Sequence, residues 1–487
     1  MSSEVRNLEP KALWNNFEDL NAVPRPSKKE ERVIQFIVDF GKKLGLETEQ
    51  DEIGNVLIRK PATPGMESRM GVVLQSHLDM VHQKNNETNF DFLTEGIRSY
   101  IDGDWVKAEG TTLGADNGIG VAAAMTVLAA TDMPHGPIEA LFTIDEETGM
   151  TGADNLTPGW LKGDILLNMD TEDEGELCIG CAGGIDTTVS YNYASDAIPA
   201  DWSTYKLTIK GLFGGHSGCD IHLQRGNSNK MMSRLLLLLN EKTDVRLIQF
   251  DGGSLRNAIP REAFVTVAFD AAKLGDLEGV IKEYEAVSKV EFAQTDKGLT
   301  LVWEEAQASG QMMNKDDQYK LLRALDGAPN GVYRWSNDFE GLVETSTNTS
   351  RVLIENGTFK VDYLTRSSVE HSKDDLAAKI QHVYELIGAS VEHAGSYPGW
   401  APNPDSDILK VMRGIHEDFF GEKPIVNAVH AGLECGIISR TQPQLDMISF
   451  GPTIKNPHSP DEMVHIGTVE RFWRYLQKIL NEIPSKN

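Results

Sequence analysis

Three short, continuous apolar runs, each followed closely by residues that can bind metals, constrain the fold of this chain more than any other feature. The runs are GVVLQS from Gly71, IEALFTI from Ile138 and DILLNM from Asp164. Continuous apolar runs of this length are typical of strands buried on both faces of a parallel sheet. An alanine-rich segment from Gly118, GIGVAAAMTVLAA, lies between the first two runs and predicts a helix. Strand, helix and strand in this order indicate an α/β domain.

The length of 487 residues predicts more than one domain. Helical spacing runs from Leu13 to Leu46 and is broken by Pro24 and Pro26. From about Ile185 the pattern changes to alternating strands and amphipathic helices, which indicates an α+β insert. We therefore expect a discontinuous α/β domain, residues 1–185 and 396–487, with a central mixed sheet and helices on both faces. An inserted α+β domain would span residues 186–395, and its two strand-helix-strand halves could be a duplication.

The charge balance is strongly acidic, with 46 Lys and Arg against 73 Asp and Glu and a formal net charge of −27. No basic stripe could hold a phosphate backbone, so nucleic acid and anionic membranes are not expected partners. The N-terminal MSSEVRNLEP lacks a signal-peptide pattern, and no run of about 18 apolar residues follows. The four cysteines make no disulfide framework, and one CxxC without a second pair does not predict a zinc ribbon. These features predict a cytoplasmic protein.

The first run ends in QSHLDMV, which places His77 and Asp79 at the carboxyl end of a predicted strand. Open α/β sheets form their ligand crevice at that edge. Residues two apart share a strand face, so Asp79 could accept the second N–H of a metal-bound His77 and fix its tautomer. A hydrogen-bonded polar pair without a metal is the alternative explanation.

Asp116 lies in TLGADNGIG, between Gly114 and Gly118, where the helix is predicted to begin. An ordinary helix N-cap would explain this aspartate. The glycines indicate an unusual backbone path, and a carboxylate fixed in such a turn could also bridge two cations.

Three adjacent acids, Asp145, Glu146 and Glu147, follow the second apolar run. In a closed crevice they would repel one another unless cations were present. On an irregular turn Glu147 could bind metal while Glu146 faces a substrate as a base. A solvated helix start is the alternative explanation.

Asp170 follows the third run, and His458 lies in the proline-bounded loop NPHSPDE. Two Zn²⁺ ions would carry four positive charges, which Asp116, Glu147, Asp170 and one hydroxide would balance. A partly buried site requires such neutrality.

The ordered motifs H-x-D, Asp-Asn-Gly, Asp-Glu-Glu, Asp and His, with GGHSG from Gly214 in the insert, resemble one family. It comprises the co-catalytic zinc metallopeptidases related to carboxypeptidase G, aminoacylase and carnosinase. The resemblance covers essentially the whole chain. The long insert, CAGG from Cys181 and HAGLECG from His430 are similar to the aminoacyl-histidine dipeptidase branch of that family.

The resemblance implies that Asp116 bridges two Zn²⁺ ions, with Co²⁺ or Mn²⁺ as possible substitutes. His77 and Asp170 would complete one site, and Glu147 and His458 the other. It also implies a cis peptide between Asp116 and the following asparagine.

The catalytic residues implied by the resemblance are Asp79 and Glu146, with Glu146 as general base toward a metal-activated water. The insert would be a lid over the site. There His216 would stabilise the oxyanion, and Asn257 and Arg366 would hold the substrate. A glycine-turn histidine and an exposed salt bridge are the structural alternatives for His216 and Arg366.

HAGLECG adds His430 and Glu434 as substrate contacts, with Glu434 facing the free amino group of the substrate. The expected activity is hydrolysis of small peptides, Xaa-His dipeptides including carnosine. An N-acyl amino acid deacylase, a tripeptide aminopeptidase and a non-catalytic metal-binding protein are the alternatives. By analogy we expect a homodimer, in which His216 could serve its own active site or that of a partner subunit.

Overall fold

The computed structural model of the protein describes residues 4–307 and 310–486. The described part leaves out residues 1–3 and 487, which belong to the predicted α/β domain. It also leaves out residues 308 and 309, which belong to the predicted insert. The chain divides into two compact units. Unit 1 comprises residues 1–180, 400–428 and 433–487, and unit 2 comprises residues 181–399 and 429–432.

The α-helices, in chain order, are α1 (Lys11–Asn21), α2 (Glu31–Lys43), α3 (Ala115–Ala129), α4 (Glu146–Gly149), α5 (Thr151–Asp154), α6 (Ser228–Thr243), α7 (Leu274–Glu291), α8 (Lys315–Gly327), α9 (Glu370–Glu385), α10 (Asp407–Phe420), α11 (Glu434–Thr441) and α12 (Ile466–Glu482). Short 3-10 helices span Glu4–Asn7, Ile221–Leu223 and Ala271–Lys273.

The strands, in chain order, are β1 (Glu47–Gln50), β2 (Val56–Lys60), β3 (Val72–His77), β4 (Ser99–Asp102), β5 (Trp105–Ala108), β6 (Ile138–Thr143), β7 (Ile165–Asn168), β8 (Glu176–Cys181), β9 (Gly183–Asn192), β10 (Ser195–Ala197), β11 (Trp202–Lys210), β12 (Gly215–His216), β13 (Arg246–Gly252), β14 (Ala258–Ile259), β15 (Ala263–Asp270), β16 (Thr300–Glu305), β17 (Gln311–Met313), β18 (Gly331–Trp335), β19 (Val343–Glu355), β20 (Thr358–Ser367), β21 (Ser390–Tyr397), β22 (Ile425–Val429), β23 (Asp446–Ser449), β24 (Ile454–Lys455) and β25 (Met463–His465).

The main sheet of unit 1 is mixed and has the strand order β1-β2-β6-β3-β7-β23-β8-β22. Its centre, β6-β3-β7-β23, is parallel, whereas β2 and β8 join it in antiparallel fashion. Every residue of β3, β6 and β7 is buried. The three apolar runs are therefore buried parallel strands, and the predicted α/β class with a central mixed sheet is confirmed. A four-stranded sheet, β24-β25-β5-β4, adds to unit 1.

The helices of the first segment also follow the sequence pattern. The prolines at positions 24 and 26 separate α1 from α2, as predicted. Helix α3 is buried over almost its whole length, and it packs against α1 and β3. Asp116 and Asn117 have non-helical backbone angles, so the regular helix begins after them, close to the predicted Gly118.

Unit 2 has a large antiparallel sheet with the order β16-β11-β15-β13-β19-β20-β9-β21, and β18 pairs with β19. One apolar core lies between this sheet and its helices, with Leu236, Phe250, Phe269, Phe359 and Tyr384 among its fully buried side chains. Unit 2 also contains two two-stranded sheets, β10-β17 and β12-β14.

The unit boundaries differ slightly from the predicted ones. Unit 2 begins at residue 181 and ends at 399, rather than at 186 and 395. Residues 429–432, which we predicted in the α/β domain, group with unit 2. The reason is a backbone connection, since the N–H of Ala182 contacts the carbonyl oxygens of Val429 and Ala431 at 3.1 and 3.0 Å. No helix within residues 4–307 and 310–486 is long and apolar enough to cross a membrane.

Candidate metal centre

The carboxyl ends of three adjacent parallel strands carry predicted ligands. Strand β3 ends at His77, β6 ends four residues before Glu147, and β7 ends two residues before Asp170. Parallel neighbours end at the same edge of a sheet, so the three segments meet there. The order of strands in unit 1, with β3 between β6 and β7, brings them together.

His77 lies at the centre of the first group of ligand atoms. Its Nε2 lies 3.1 Å from Asp116 Oδ1 and 3.4 Å from Asp170 Oδ1. Its Nδ1 lies 3.3 Å from Asp79 Oδ1 and 3.2 Å from the Asp79 carbonyl oxygen. The strand ends at His77, so the prediction that both residues share a strand face was wrong, and the following turn makes the contact instead. One ring nitrogen thus faces the carboxylates while the other is held by Asp79.

His458 lies in a second group of ligand atoms. Its Nε2 lies 3.2 Å from Asp116 Oδ2 and 3.0 Å from Glu147 Oε2. Its backbone is in the left-handed region, with φ of 60°, and its side chain is half exposed. Asp116 therefore presents one oxygen to each imidazole. The geometry joins two three-residue groups, His77-Asp116-Asp170 and Asp116-Glu147-His458, through a single carboxylate.

The turn that carries Asp116 has a specialised backbone. Gly114 has φ of 69°, a value that favours glycine, and the peptide bond between Asp116 and Asn117 is cis, as the resemblance implied. The side chain of Asn117 donates to the Asp170 carboxylate and, at 2.9 Å, to the carbonyl oxygen of Met169. Asn117 thus connects the Asp116 turn to the segment after β7.

The electrostatics of these groups suit cations. Burial alone would lower the pKa of His77, but the carboxylates of Asp170, Asp116 and Asp79 raise it well above its usual range. Hydrogen bonds with Asp116 and Glu147 raise the pKa of His458 to about 11. Both imidazoles are therefore stabilised as cations by the surrounding carboxylates. A divalent ion in each group would supply that positive charge directly, and the imidazole and carboxylate donor set fits Zn²⁺, Co²⁺ or Mn²⁺.

Glu146 and Glu147 have different surroundings despite being neighbours. The backbone N–H groups of Glu146 and Glu147 donate to Asp79 Oδ1 at 3.0 Å and Oδ2 at 3.3 Å. Glu147 then reaches His458, whereas burial and the nearby Asp170, Glu434 and Glu147 carboxylates raise the pKa of Glu146. Asp145, the first of the three acids, accepts from Thr148 and Thr151 and clusters with Glu30 and Asp79 rather than with a histidine.

Glu434 is buried in unit 1, in a chain of polar side chains that crosses the sheet. Its Oε2 accepts hydrogen bonds from Gln75 Nε2 at 2.6 Å and Thr143 Oγ1 at 2.7 Å. Gln75 in turn accepts from Asn168, and Asn168 accepts from Ser449. Glu434 Oε1 is buried without a hydrogen-bond partner. Burial raises the pKa of Glu434 to about 7.

His216 in unit 2 has a defined tautomer. Its Nδ1 accepts from the backbone N–H groups of Gly218, at 3.2 Å, and Cys219, at 3.0 Å. An accepting nitrogen carries no proton, so the ring proton lies on Nε2. Burial, assisted by the charge of Arg366, lowers the pKa of His216 to about 4. The ring is neutral at pH 7 and presents Nε2 as a donor.

Arg366 and His430 lie close to His216 in the same unit. A Cβ atom built on Gly218 would lie 3.1 Å from His216 Cε1, 3.2 Å from Arg366 Cδ and 2.0 Å from the His430 carbonyl oxygen. Arg366 Nη1 donates to the Tyr397 hydroxyl at 2.9 Å, and its Nε is buried without a hydrogen-bond partner.

His430 and Asn257 complete this group. Ser346 Oγ lies 2.7 Å from His430 Nε2. Asn257 is exposed, and its carbonyl oxygen accepts from the N–H of Ser217 at 2.8 Å. His216, Asn257, Arg366 and His430 belong to unit 2 and Glu434 belongs to unit 1, so the segment HAGLECG contains the chain boundary between the two units.

Several residues around these groups were missed by the sequence reasoning. Gln75 and Asn168 are polar residues inside buried strands, a signal that was present in GVVLQS and DILLNM. Arg25 and Glu462 are buried charged residues that hydrogen-bond to the backbone of ligand segments. Glu462 was inside the quoted NPHSPDE motif, but nothing in its spacing shows that it contacts residues about 350 positions earlier.

Comparison with known proteins identifies the family of this chain. The model of peptidase family M20/M25/M40 matches residues 73–482, which include both groups of predicted ligands. The chain belongs to peptidase family M20/M25/M40. The family relationship inferred from the ordered motifs is thus confirmed.

Two M20 relatives resemble the chain over its full length. The cytosol non-specific dipeptidase of Escherichia coli is 46% identical over 484 residues, covering 99% of this chain and 100% of the relative. The crystal structure of the aminoacylhistidine dipeptidase from Vibrio alginolyticus matches with a TM-score of 0.94 and 49% identity, covering 100% of this chain and 99% of that one. The aminopeptidase PepT of Bacillus cereus, with a TM-score of 0.57 and 16% identity over 98% of this chain and 99% of that one, shares the fold.

Proposed function

We propose that this M20 protein is a dipeptidase that uses two divalent metal ions, Zn²⁺ in the first instance, and that Xaa-His dipeptides are among its substrates. The observation that carries the proposal is the position of Asp116, whose two carboxylate oxygens face His77 and His458 separately. The two full-length relatives are both named as dipeptidases, which supports the reaction. The Escherichia coli relative is named a non-specific dipeptidase and the Vibrio alginolyticus relative an aminoacylhistidine dipeptidase, so the test must include dipeptides with and without histidine.

The proposed ligands are His77, Asp116 and Asp170 for one ion, and Asp116, Glu147 and His458 for the other. When bound, such ions polarise a peptide carbonyl and lower the pKa of water from about 15.7 toward about 7. Asp79 holds the second ring nitrogen of His77 and so orients that ligand.

Glu146 is the proposed general base. Its backbone is fixed by Asp79, and its side chain stays outside the ion pair that His458 makes with Glu147. The raised pKa of Glu146 favours proton uptake, because burial disfavours its charged form. In the proposed reaction its carboxylate takes a proton from the attacking water and delivers it to the leaving amine.

The lid role of unit 2 is likewise a proposal. His216 is neutral and carries its proton on Nε2, which suits it to donate to an oxyanion that develops during attack. Arg366 has a buried Nε without a hydrogen-bond partner, so its guanidinium retains a donor for a substrate carboxylate. Asn257 and His430 are the remaining proposed substrate contacts in this unit.

Glu434 is the proposed contact for the free amino group of the dipeptide. Among the described residues, none donates a hydrogen bond to its buried Oε1. A buried carboxylate oxygen that accepts no hydrogen bond destabilises the protein, and a bound donor would remove this cost. An ammonium group is a suitable donor. A dipeptide offers both an ammonium and a carboxylate, whereas an N-acyl amino acid lacks the ammonium.

The proposal is tested by hydrolysis of Gly-His, β-Ala-His, Ala-Leu, a tripeptide and an N-acetyl amino acid by metal-reconstituted protein. A chelator-treated sample and Glu146→Gln are the two controls. Chelator-sensitive cleavage of the dipeptides, with the two His dipeptides included, is the expected result. Cleavage of the acetylated substrate would instead identify a deacylase, and preferential cleavage of the tripeptide an aminopeptidase. Absence of cleavage with every metal would favour a non-catalytic metal-binding protein.

We also propose a cytosolic location and a homodimer. The Escherichia coli relative is named a cytosol dipeptidase. The acidic charge gives no reason to expect nucleic acid or anionic membrane as a partner. Light scattering on the purified protein tests the dimer, for which a mass of about twice 53.8 kDa is expected.

A further inference from the structure

Arg25 and Glu462 are buried charged side chains that both hydrogen-bond to the backbone of the turn of residues 113–116, Arg25 as a donor and Glu462 as an acceptor. Arg25 is 1% exposed and Glu462 is 2% exposed. Buried charges are costly unless hydrogen bonds satisfy them, and both of these make several bonds to backbone atoms. The bonded backbone belongs to the segments that carry the proposed metal ligands.

Glu462 accepts four consecutive backbone N–H groups of the 113–116 turn. Its Oε2 lies 2.7 and 2.9 Å from the nitrogens of Leu113 and Gly114, and its Oε1 lies 2.8 and 3.3 Å from those of Ala115 and Asp116. Glu462 follows His458 by four positions in the chain. The carboxylate therefore ties the loop that carries His458 to the turn that carries Asp116.

Arg25 ties the same turn to a different ligand segment. Its Nη1 donates to the carbonyl oxygens of Leu78 and Asp79, both at 3.1 Å. Its Nη2 donates to the carbonyl oxygen of Gly114 at 2.6 Å and to Asn21 Oδ1 at 3.2 Å. The guanidinium thus connects the segment that directly follows His77 to the turn that carries Asp116.

Two glycines, Gly114 in the turn and Gly118 just after it, leave space for the Arg25 guanidinium. A Cβ atom at Gly114 would lie 2.5 Å from Arg25 Nη2, and one at Gly118 would lie 2.8 Å from the same atom. Neither distance is compatible with a real side chain. The glycines of TLGADNGIG are therefore explained by the close approach of Arg25, in addition to the positive φ of Gly114.

We propose that Arg25 and Glu462 are positioning residues of the metal centre, and that each controls a different ion. Arg25 sets the geometry of the ion held by His77 and Asp170, whereas Glu462 sets that of the ion held by Glu147 and His458. The inference rests on the proposed metal centre. Neither side chain binds metal itself, and each acts by fixing the distance between Asp116 and one terminal ligand.

The test is a titration of metal-free protein with Co²⁺ against a chromophoric chelator, which gives the affinities of the two sites. The variants are Glu462→Gln, whose amide retains a single accepting oxygen, and Arg25→Lys, which loses the planar fork. Each is expected to weaken one site by about 10- to 100-fold, the usual effect of losing a residue that orients a ligand, and to leave the other within about 3-fold. The Co²⁺ absorption spectrum, which reports ligand geometry, should change only for the weakened site.

Glu139→Gln is the matched control. Glu139 is also buried and accepts from two backbone N–H groups, those of Lys162 and Gly163, at 2.7 and 2.8 Å. It lies at the opposite end of β6 from Glu146. The control should lower the melting temperature as Glu462→Gln does, while both metal affinities stay unchanged.

The weakened site is identified by combining variants. In a His458→Ala background, which retains the His77 site, Glu462→Gln should change the affinity of the remaining site very little. In an Asp170→Ala background, which retains the His458 site, Glu462→Gln should weaken the remaining site by its full factor. Arg25→Lys should show the reverse. Equal weakening of both sites, or affinities that match those of the control, would overturn the inference. If the unmodified protein bound no metal tightly, the proposed metal centre itself would fail before any variant was compared. Arg25→Lys tests the inference independently if Glu462→Gln does not fold.

Discussion

Asp79 Oδ1 accepts a hydrogen bond from the backbone N–H of Glu146 at 3.0 Å. The same carboxylate contacts the ring of His77. Asp79 therefore links the ligand at the end of β3 to the turn after β6, where the proposed base lies. Removal of its charge should affect metal binding and base position together, although Asp79 clusters with Glu30 and Asp145 and is in neither of the two proposed ligand groups.

Asp79→Asn should lower Co²⁺ affinity at the His77 site by about 10- to 100-fold, because the amide no longer stabilises the proton on His77 Nδ1 as a carboxylate does. Metal competition titration measures this effect. Asp164→Asn is the control, since Asp164 also accepts a backbone N–H, that of Gly71 at 2.8 Å, but lies at the opposite end of β3 from His77. Similar affinities for both variants would contradict the role of Asp79.

Glu146→Gln and Glu147→Gln should separate catalysis from metal binding. Glu146→Gln is expected to keep about two metals per chain and to lose about 10²- to 10⁴-fold in kcat, because the amide cannot take a proton. Glu147→Gln is expected to lose metal, since Glu147 contacts His458. Metal content by atomic emission and turnover of Gly-His measure the two effects. Equal metal loss in both variants would contradict the division of roles.

His216→Asn should lower kcat by about 10²- to 10³-fold with a small change in KM, the usual result of removing one oxyanion donor. Asparagine does not place a donor where Nε2 of the ring lies. His222→Asn, an exposed neighbour in the same unit, is the control and should behave as the unmodified protein. A loss confined to KM would assign His216 to ground-state binding instead.

Gln75→Met should destabilise unit 1 by about 1–3 kcal/mol, because it removes partners of both Glu434 and Asn168 inside the sheet. Gln35→Met is the control, since Gln35 is exposed and its bond to Asp39 lies at the surface. The control should change stability by less than about 0.5 kcal/mol. Urea unfolding of the two variants is the measurement, and equal effects would show that the polar chain adds no stability.

His430 should make unit 2 less stable in acid. Burial, assisted by the nearby charge of Arg366, lowers the pKa of His430 to about 3. The pKa of an unfolded histidine is about 6.5, so below that pH the unfolded chain binds a proton that the folded chain does not bind. The free energy of unfolding is therefore unaffected by His430 above about pH 6.5 and falls as the pH drops below that value. The loss is about 1.4 kcal/mol per pH unit for one such proton.

Melting temperatures at pH 7.5 and pH 5 measure this effect. The unmodified protein should lose more than His430→Gln between the two values, because the variant has no imidazole at that position. Parallel losses would show that His430 does not contribute. The proposed metal ligands belong to unit 1, whereas His430 belongs to unit 2.

The sequence predicted the parts of the fold that depend on local pattern. Continuous apolar runs predicted β3, β6 and β7, and Pro24 and Pro26 predicted the break between α1 and α2. The sequence singled out the proposed ligand residues because each follows a strand or stands in a glycine or proline turn, and the structure brings these residues into two neighbouring groups. The lateral order of the strands was not predictable, since pairing of β23 with β7 depends on tertiary structure.

The partners of the ligand segments were also beyond prediction. Arg25 and Glu462 contact backbone atoms, and backbone contacts leave no complementary residue type in the sequence. The tautomer of His216 similarly depends on two backbone N–H groups in its own turn. By contrast, the sequence does show Gln75 and Asn168 as polar residues within apolar runs, although the sequence reasoning missed them. Their pairing follows from the parallel register of β3 and β7.

Strand β23 lies between β7 and β8, although more than 260 residues separate it from each of them in the chain. The central sheet of unit 1 is therefore incomplete until this late segment has left the ribosome, after the residues of unit 2 have been synthesised. His458 and Glu462 lie between β24 and β25, shortly after β23. Synthesis thus delivers the last proposed ligand and its backbone anchor when the sheet can close, so we expect uptake of the proposed metals to accompany the completion of folding.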